Sequence, residues 1–238
     1  MTLRPFFSYY GGKWTLAPHY PLPEHDTIVE PFAGGAGYAL RHAERDVILV
    51  EKVGFLAALW KRLTRVSVDE VMGLPLDPMA TEGLPDEAKT LLGFWCARGR
   101  VRPARTANSS WLKSGDHPSS FWGERARLRI AEQVPKIRHW RVLEGNYWAA
   151  GDVAATWFVD PPYQGVGRHY LAQPGDYSAL GEWCRSRRGL VVVCEAQGAD
   201  WLPFVPLRPA KSIARGSYTE AVFVRGSSRH PEQMEAFA

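Results

Sequence analysis

Short apolar runs recur along the chain, and several of them stop at an acid or a proline. Residues 27–31, TIVEP, form one such run; FAGGAG (32–37) follows, and then YALRHAER, whose composition is helical. DVILVE (46–51) is a second run, rich in β-branched residues and closed by an acid, and GFLAALWKRL (54–63) places apolar residues at helical spacing. The pattern predicts strand, glycine loop, helix, strand and helix, the opening of a doubly wound α/β sheet. It dissolves between about 66 and 140, where turn-rich pieces surround predicted helices at 86–97 and 121–134. Alternation returns with WRVLEG (140–145), ATWFVD (155–160) and GLVVVCEA (189–196), and EAVFVRG (220–226) reads as a late strand open to antiparallel placement. The expected organisation is an α/β domain built from 1–65 and 140–238, carrying an inserted, mostly helical region over 66–139.

Composition narrows the class. At 238 residues, 45% of them hydrophobic, the chain can bury the core of one large domain or of a domain with an insertion. No apolar run approaches the roughly 20 residues that span a bilayer, and MTLRPFFSYYGG lacks the apolar stretch of a secretory signal. A cytoplasmic, membrane-free protein is the expectation, with a monomer as the default. Three cysteines without a CxxC pair point to neither a disulfide framework nor a zinc site, so no metal is expected. The formal charge of +4 admits nucleic acid without requiring it. That charge is uneven: RGRVRPAR (98–105) holds Arg98, Arg100, Arg102 and Arg105 and no acid, which suits either a phosphate-facing segment or a solvated loop.

Three stretches carry candidate chemistry. Gly34, Gly35 and Gly37 lie between a predicted strand and helix, where a backbone without Cβ atoms lets a ligand come close. Leu40 stands where a dinucleotide fingerprint has its third glycine, and Glu51 at the next strand end suits a ribose diol. A nucleoside-containing cofactor therefore fits better than a dinucleotide. YYGGK (9–13) is a second glycine turn, and Lys13 there suits a cofactor carboxylate. In WFVDPPY (157–163), Asp160 ends a strand, where open α/β sheets bind ligands. Pro161 and Pro162 hold the backbone extended, so the Asp160 carboxylate and the Pro161 carbonyl form a rigid acceptor pair beside the flat ring of Tyr163. A planar molecule with an exocyclic amino group matches that arrangement, with the Tyr163 ring rather than its hydroxyl as the working part.

Taken in order, YYGGK, VEPFAGGAG, VILVE and VDPPY resemble the DNA adenine-N6 methyltransferases of the Dam-like (D12) class, over roughly residues 5–63 and 140–195. The resemblance implies a Rossmann-like S-adenosylmethionine-dependent methyltransferase sheet. It implies catalytic roles for Asp160, Pro161, Pro162 and Tyr163. Cofactor contacts are implied from the turn of Tyr9, Tyr10, Gly11, Gly12 and Lys13, and from Glu30, Pro31, Phe32, Gly34 and Gly35. Glu51 falls at the ribose hydroxyls, where the family more often has aspartate, with Lys52 beside it. Asn146 in LEGNY stands where many members carry an aspartate near the cofactor adenine, and Asp160 is the last of the implied cofactor contacts. The implied substrate is double-stranded DNA with the target adenine flipped out. The region 66–139 is the implied target-recognition element, with Arg98, Arg100, Arg102, Arg105 and Lys113 as DNA contacts, Asn108, Ser109 and Ser110 within reach of base edges, and Arg125, Arg127 and Arg129 as support. The same fold also methylates cytosine N4, RNA or protein amides. From another class, a catalytically silent nucleic-acid-binding module has the same charge pattern.

Overall fold

The computed structural model describes residues 2–96, 99–104, 122–165, 167–212 and 216–226. Seven strands form one sheet: β1 (Thr27–Glu30), β2 (Asp46–Glu51), β3 (Arg141–Glu144), β4 (Thr156–Val159), β5 (Val191–Ala196), β6 (Val205–Ser212) and β7 (Gly216–Arg225). Their order is β3-β2-β1-β4-β5-β7-β6. β1 to β5 are parallel, and β7 runs antiparallel to both β5 and β6. The chain moves outward from β1 through β2 to β3 and then returns to β4 on the other side of β1. The carboxyl ends of β1 and β4 therefore flank the point where strand order reverses, and open α/β sheets bind ligands in that crevice.

The inner strands are apolar on both sides, and residue parity decides which side each side chain serves. Ile28, Leu49, Phe158, Val192 and Val222 face one core cluster. Val29, Ile48, Val50, Trp157, Val159, Val191 and Val193 face the other. The first layer is filled by α1 (Gly54–Leu63), α3 (Asp86–Cys96), α4 (Glu124–Gln133) and the N-terminal residues Leu3, Phe6 and Phe7. Leu180 and Cys184 of α5 (Tyr177–Ser186) cover the second. α2 (Val68–Met72) begins on a capping box, in which Ser67 and Glu70 satisfy each other's backbone amides. Phe94, Trp95 and Ile130, from the region read as an insertion, lie in the same cluster as Ile28 and Leu49, so these helices share the core of the sheet.

Two local expectations change. YALRHAER forms a short 3-10 turn, Ala39–His42, in place of a full helix. β2 begins at Asp46, only a few residues later, and Tyr38, Ala39 and Leu40 are all fully buried, which leaves no length for a solvated helical face. The predicted helix over 121–134 is α4 with a 3-10 turn, Val134–Ile137, carrying Pro135 in its first positions. Among the described residues, no helix is long and apolar enough to cross a membrane.

Candidate functional site

The glycine loop is fixed from three directions. Gly34 donates its amide to Glu51 Oε2 at 3.0 Å, and its carbonyl accepts the Trp60 indole N–H at 2.9 Å. Glu51 also accepts the Val53 amide at 2.8 Å through Oε1. Burial raises the Glu51 pKa, against the pull of these amides. Gly37 is required by close approach: a Cβ there would meet the Trp14 nitrogen at 2.4 Å. The YYGGK turn and the glycine loop are thereby packed backbone to backbone.

At the end of β1, Glu30 is 2% exposed and accepts the Ala39 amide at 2.6 Å. Its carboxyl is turned onto the loop that follows, and burial pushes its pKa up to about 8. Glu30 acts here as a clamp on the glycine loop.

Three openings meet at this end of the sheet. The first, with about 530 Å³ of empty space, is lined by Phe32, Gly34, Glu51, Lys52 and Asn146, with Tyr9 and Tyr170 on its wall. Phe32 stacks on Tyr147 at 5.6 Å, and Lys52 Nζ reaches the Gln173 carbonyl at 3.5 Å across the cleft. Pro31 and Pro162 lie in the same lining. The second is larger, about 1240 Å³, and is lined by Ser8, Gly99, Lys13, Tyr163 and Tyr218, again with Tyr9 and Tyr170. A smaller third opening joins them; Lys13, Glu30, Phe32, Gly35 and Asp160 line it. Tyr170 closes the YYGGK turn: its hydroxyl donates to the Tyr10 carbonyl at 3.3 Å, and its ring meets that of Tyr10 edge-on. Gly11, at φ +72°, lies so close that a Cβ would overlap the Tyr170 hydroxyl.

The arrangement around Asp160 differs from the sequence reading. Lys13 is 5% exposed and does not line the cleft of Glu51 and Asn146; its ammonium sits 2.9 Å from Asp160 Oδ1 and 3.8 Å from Glu220 Oε1. Burial alone would lower the Lys13 pKa, but Asp160 and Glu220 outweigh it and hold the pKa well above the usual lysine value. The ammonium also lies 4.6 Å from the centre of the Tyr163 ring. Lys13 thus occupies the space between carboxylate and ring into which sequence reasoning fits an amino-bearing substrate. Tyr163 differs as well. It is 4% exposed, and its hydroxyl donates to Glu220 Oε1, so the hydroxyl is engaged along with the ring. Burial, together with Asp160 and Glu220, keeps its pKa far above the usual tyrosine value.

Supporting residues outside the predicted set hold the DPPY segment. Glu195, fully buried at the end of β5, accepts the Gln164 amide at 2.9 Å and the Trp201 indole at 3.1 Å. The Tyr177 hydroxyl donates to the Pro162 carbonyl at 2.6 Å. Glu220 is the largest omission: it gathers Tyr20, Tyr163 and Tyr218 hydroxyls. Its one sequence signal is parity, since it shares a strand face with Tyr218, Val222 and Val224, which pack on the sheet's core.

Of the arginine-rich stretch, Arg98, Arg105 and Lys113, with Asn108, Ser109 and Ser110, lie outside the described residues. Arg100 and Arg102 are exposed, and residues 99–100 run beside the YYGGK turn. The Gly99 amide reaches Ser8 Oγ at 3.0 Å, and the Tyr10 amide reaches the Arg100 carbonyl at 3.3 Å. Arg127 and Arg129 donate to the Leu74 and Pro5 carbonyls, a supporting use. Among the described residues, no group of three or more His, Cys, Asp or Glu is placed to hold a metal ion. No family model matches the chain, and no curated protein matches it in sequence.

Proposed function

We propose that the chain is a site-specific DNA methyltransferase that moves the methyl group of S-adenosylmethionine to N6 of an adenine flipped out of the duplex. The observation that carries this reading is the meeting of two clefts at one carboxylate. Glu51 and Asn146 supply polar groups to the first, the Phe32 ring supplies an apolar face, and Asp160 stands in the opening that joins it to the second. The polar groups of the first cleft match a nucleoside-containing cofactor: Glu51 offers acceptors to a ribose diol and the glycine loop allows close approach. The second cleft is larger, and Gly99 in its lining is followed in the chain by the exposed Arg100, a cation suited to the phosphate of an extruded nucleotide.

Held by Phe32, the glycine loop, Glu51 and Asn146, the cofactor would supply an electrophilic methyl carbon for the amine. The residues act on the amine. Its lone pair is delocalised into the adenine ring, so it is a poor nucleophile. Asp160 and the Pro161 carbonyl accept its N–H groups and stabilise the positive charge that develops on nitrogen, a preorganised electrostatic contribution, and the methylated nitrogen then releases one of those protons to solvent by way of the Asp160 carboxylate. Tyr163 supplies the stacking face, and Lys13 gives way to admit the base.

The test is single-turnover methylation of adenine-containing DNA by the wild type and Asp160→Asn. Asparagine keeps the shape and loses the charged acceptor, so the rate should fall on the order of 100- to 1000-fold. Calorimetric affinity for the cofactor should stay close to wild type. Methyl transfer to cytosine, to RNA or to nothing at all by the wild type would overturn the reading, as would a normal rate in Asp160→Asn.

A further inference from the structure

Glu220 lies on β7, the antiparallel strand inserted beside β5, and has no exposed surface. Buried carboxylates persist where they are paired or hydrogen-bonded. Here three hydroxyls converge on one group: Tyr20 donates to Oε1 at 2.7 Å, Tyr163 to the same oxygen, and Tyr218 to Oε2 at 2.9 Å. Tyr20 and Tyr163 fill both acceptor sites of Oε1 and Tyr218 one of the two on Oε2, so a cation approaching Oε1 pairs with the carboxylate through its charge. Among the described residues, the cation in ion-pair range is Lys13, 3.8 Å from Oε1, while its present bond to Asp160 is 2.9 Å long. Closing the second pairing to the length of the first takes a displacement of at least roughly 1 Å, the difference between those distances.

This geometry bears on a difficulty in the proposed reaction, on which the inference rests. Asp160 must exchange a lysine for the substrate amine, and an ammonium set loose in a buried site without a counter-charge is strongly disfavoured. We infer that Glu220 is a positioning residue: it is the second counter-ion onto which Lys13 shifts when a substrate amino group takes its place on Asp160. The three hydroxyls hold Glu220 still, so the lysine moves and the carboxylate does not. Because Tyr163 donates to the same oxygen, the carboxylate that receives the lysine also fixes the ring on which the base stacks. Glu220 itself touches no reacting atom.

The inference is tested on the full chain by side-chain nitrogen NMR of the Lys13 ammonium, assigned with Lys13→Met. A paired, buried ammonium exchanges its protons slowly and gives a resolved signal. In Asp160→Asn the signal should persist, because Lys13 moves onto Glu220; in Asp160→Asn/Glu220→Gln it should vanish. Loss of the signal in Asp160→Asn alone, or its survival in the double variant, overturns the inference. In the kinetic arm, Glu220→Gln should slow single-turnover methylation on the order of 10- to 100-fold, the usual effect of a residue that supports a reacting group. Cofactor affinity should stay unchanged, and Glu220→Asp, which keeps the charge, should recover part of the rate. A wild-type rate in Glu220→Gln overturns it. Urea unfolding identifies any variant that fails to fold; Asp160→Asn/Glu220→Asp then carries the NMR comparison, where the shorter carboxylate should give a faster-exchanging signal than Asp160→Asn alone, and equal exchange overturns the inference. A wild type that methylates nothing defeats the methyltransferase reading, and the NMR arm still decides whether Lys13 moves between the two carboxylates.

Discussion

Replacing Glu30 by glutamine should stabilise the protein at mildly alkaline pH and change little in acid. Glu30 is 2% exposed, and its pKa, ordinarily 4.5, is pushed up to about 8 by burial, with the Ala39 amide pulling it back and Asp160 adding to the rise. In the unfolded chain the carboxyl returns to its ordinary range, so the folded state holds the proton more tightly. Its contribution is fully present below the unfolded pKa and is lost as pH rises through the folded one. At about 1.4 kcal/mol per pH unit, that interval amounts to roughly 4 to 5 kcal/mol. Glutamine has no proton to lose and keeps an oxygen for the Ala39 amide, which lies 2.6 Å from the carboxyl. The assay is urea unfolding of wild type and Glu30→Gln from about pH 5 to about pH 9, read as the difference between the two curves. Groups common to both proteins cancel in that difference, among them His42, whose pKa burial lowers. The difference should grow with pH in favour of the variant and level off near the folded pKa of Glu30. A difference that does not change with pH would refute the assignment of a raised pKa to this buried carboxyl.

Three further outcomes follow from the site. Glu51→Ala should weaken S-adenosylmethionine binding by about 1–3 kcal/mol, the scale of a charge-assisted hydrogen bond, and calorimetry would read an unchanged affinity as evidence against the ribose contact. Tyr163→Phe keeps the ring but withdraws one hydroxyl from the buried Glu220, so urea unfolding should show a loss of about 1–3 kcal/mol; unaltered stability would mean that the hydrogen bond contributes nothing net. Neutralising Arg100 and Arg102 together should flatten the slope of log K for DNA against log salt by up to about two counterions, and an identical slope would return these exposed side chains to the solvated-loop reading.

Most strands were legible because they are buried on both faces, which leaves near-continuous apolar runs such as VILV and VVVC in the sequence. β6 was not, and its VPLRPAKS composition explains why: Pro206 and Pro209 are tolerated only because the strand lies at the sheet edge. The site divides along the same line. Phe32, Gly34, Glu51, Asn146 and Asp160 follow directly from strand ends, so the crevice rule brings them together once the strands are known. The partners of those residues are harder to find. Tyr20 and Glu220 are 200 positions apart and belong to no short motif, and Lys13 chooses between carboxylates by distance, which spacing along the chain cannot express.

The placement of β7 sets an order on assembly during synthesis. β6 leaves the ribosome before β7, yet in the finished sheet β7 lies between β5 and β6 and bonds to both. A nascent chain that has not reached residue 216 therefore holds β5 as an open edge, with Val191, Val192 and Val193 ready to pair with any passing strand. It also lacks Glu220, so Tyr20 and Tyr163 have lost the acceptor they share and Lys13 has one carboxylate in place of two. The same strand that closes the sheet completes the charge arrangement around Asp160. The growing polypeptide is most exposed to misassociation, and still without its finished reaction centre, until that strand is in place.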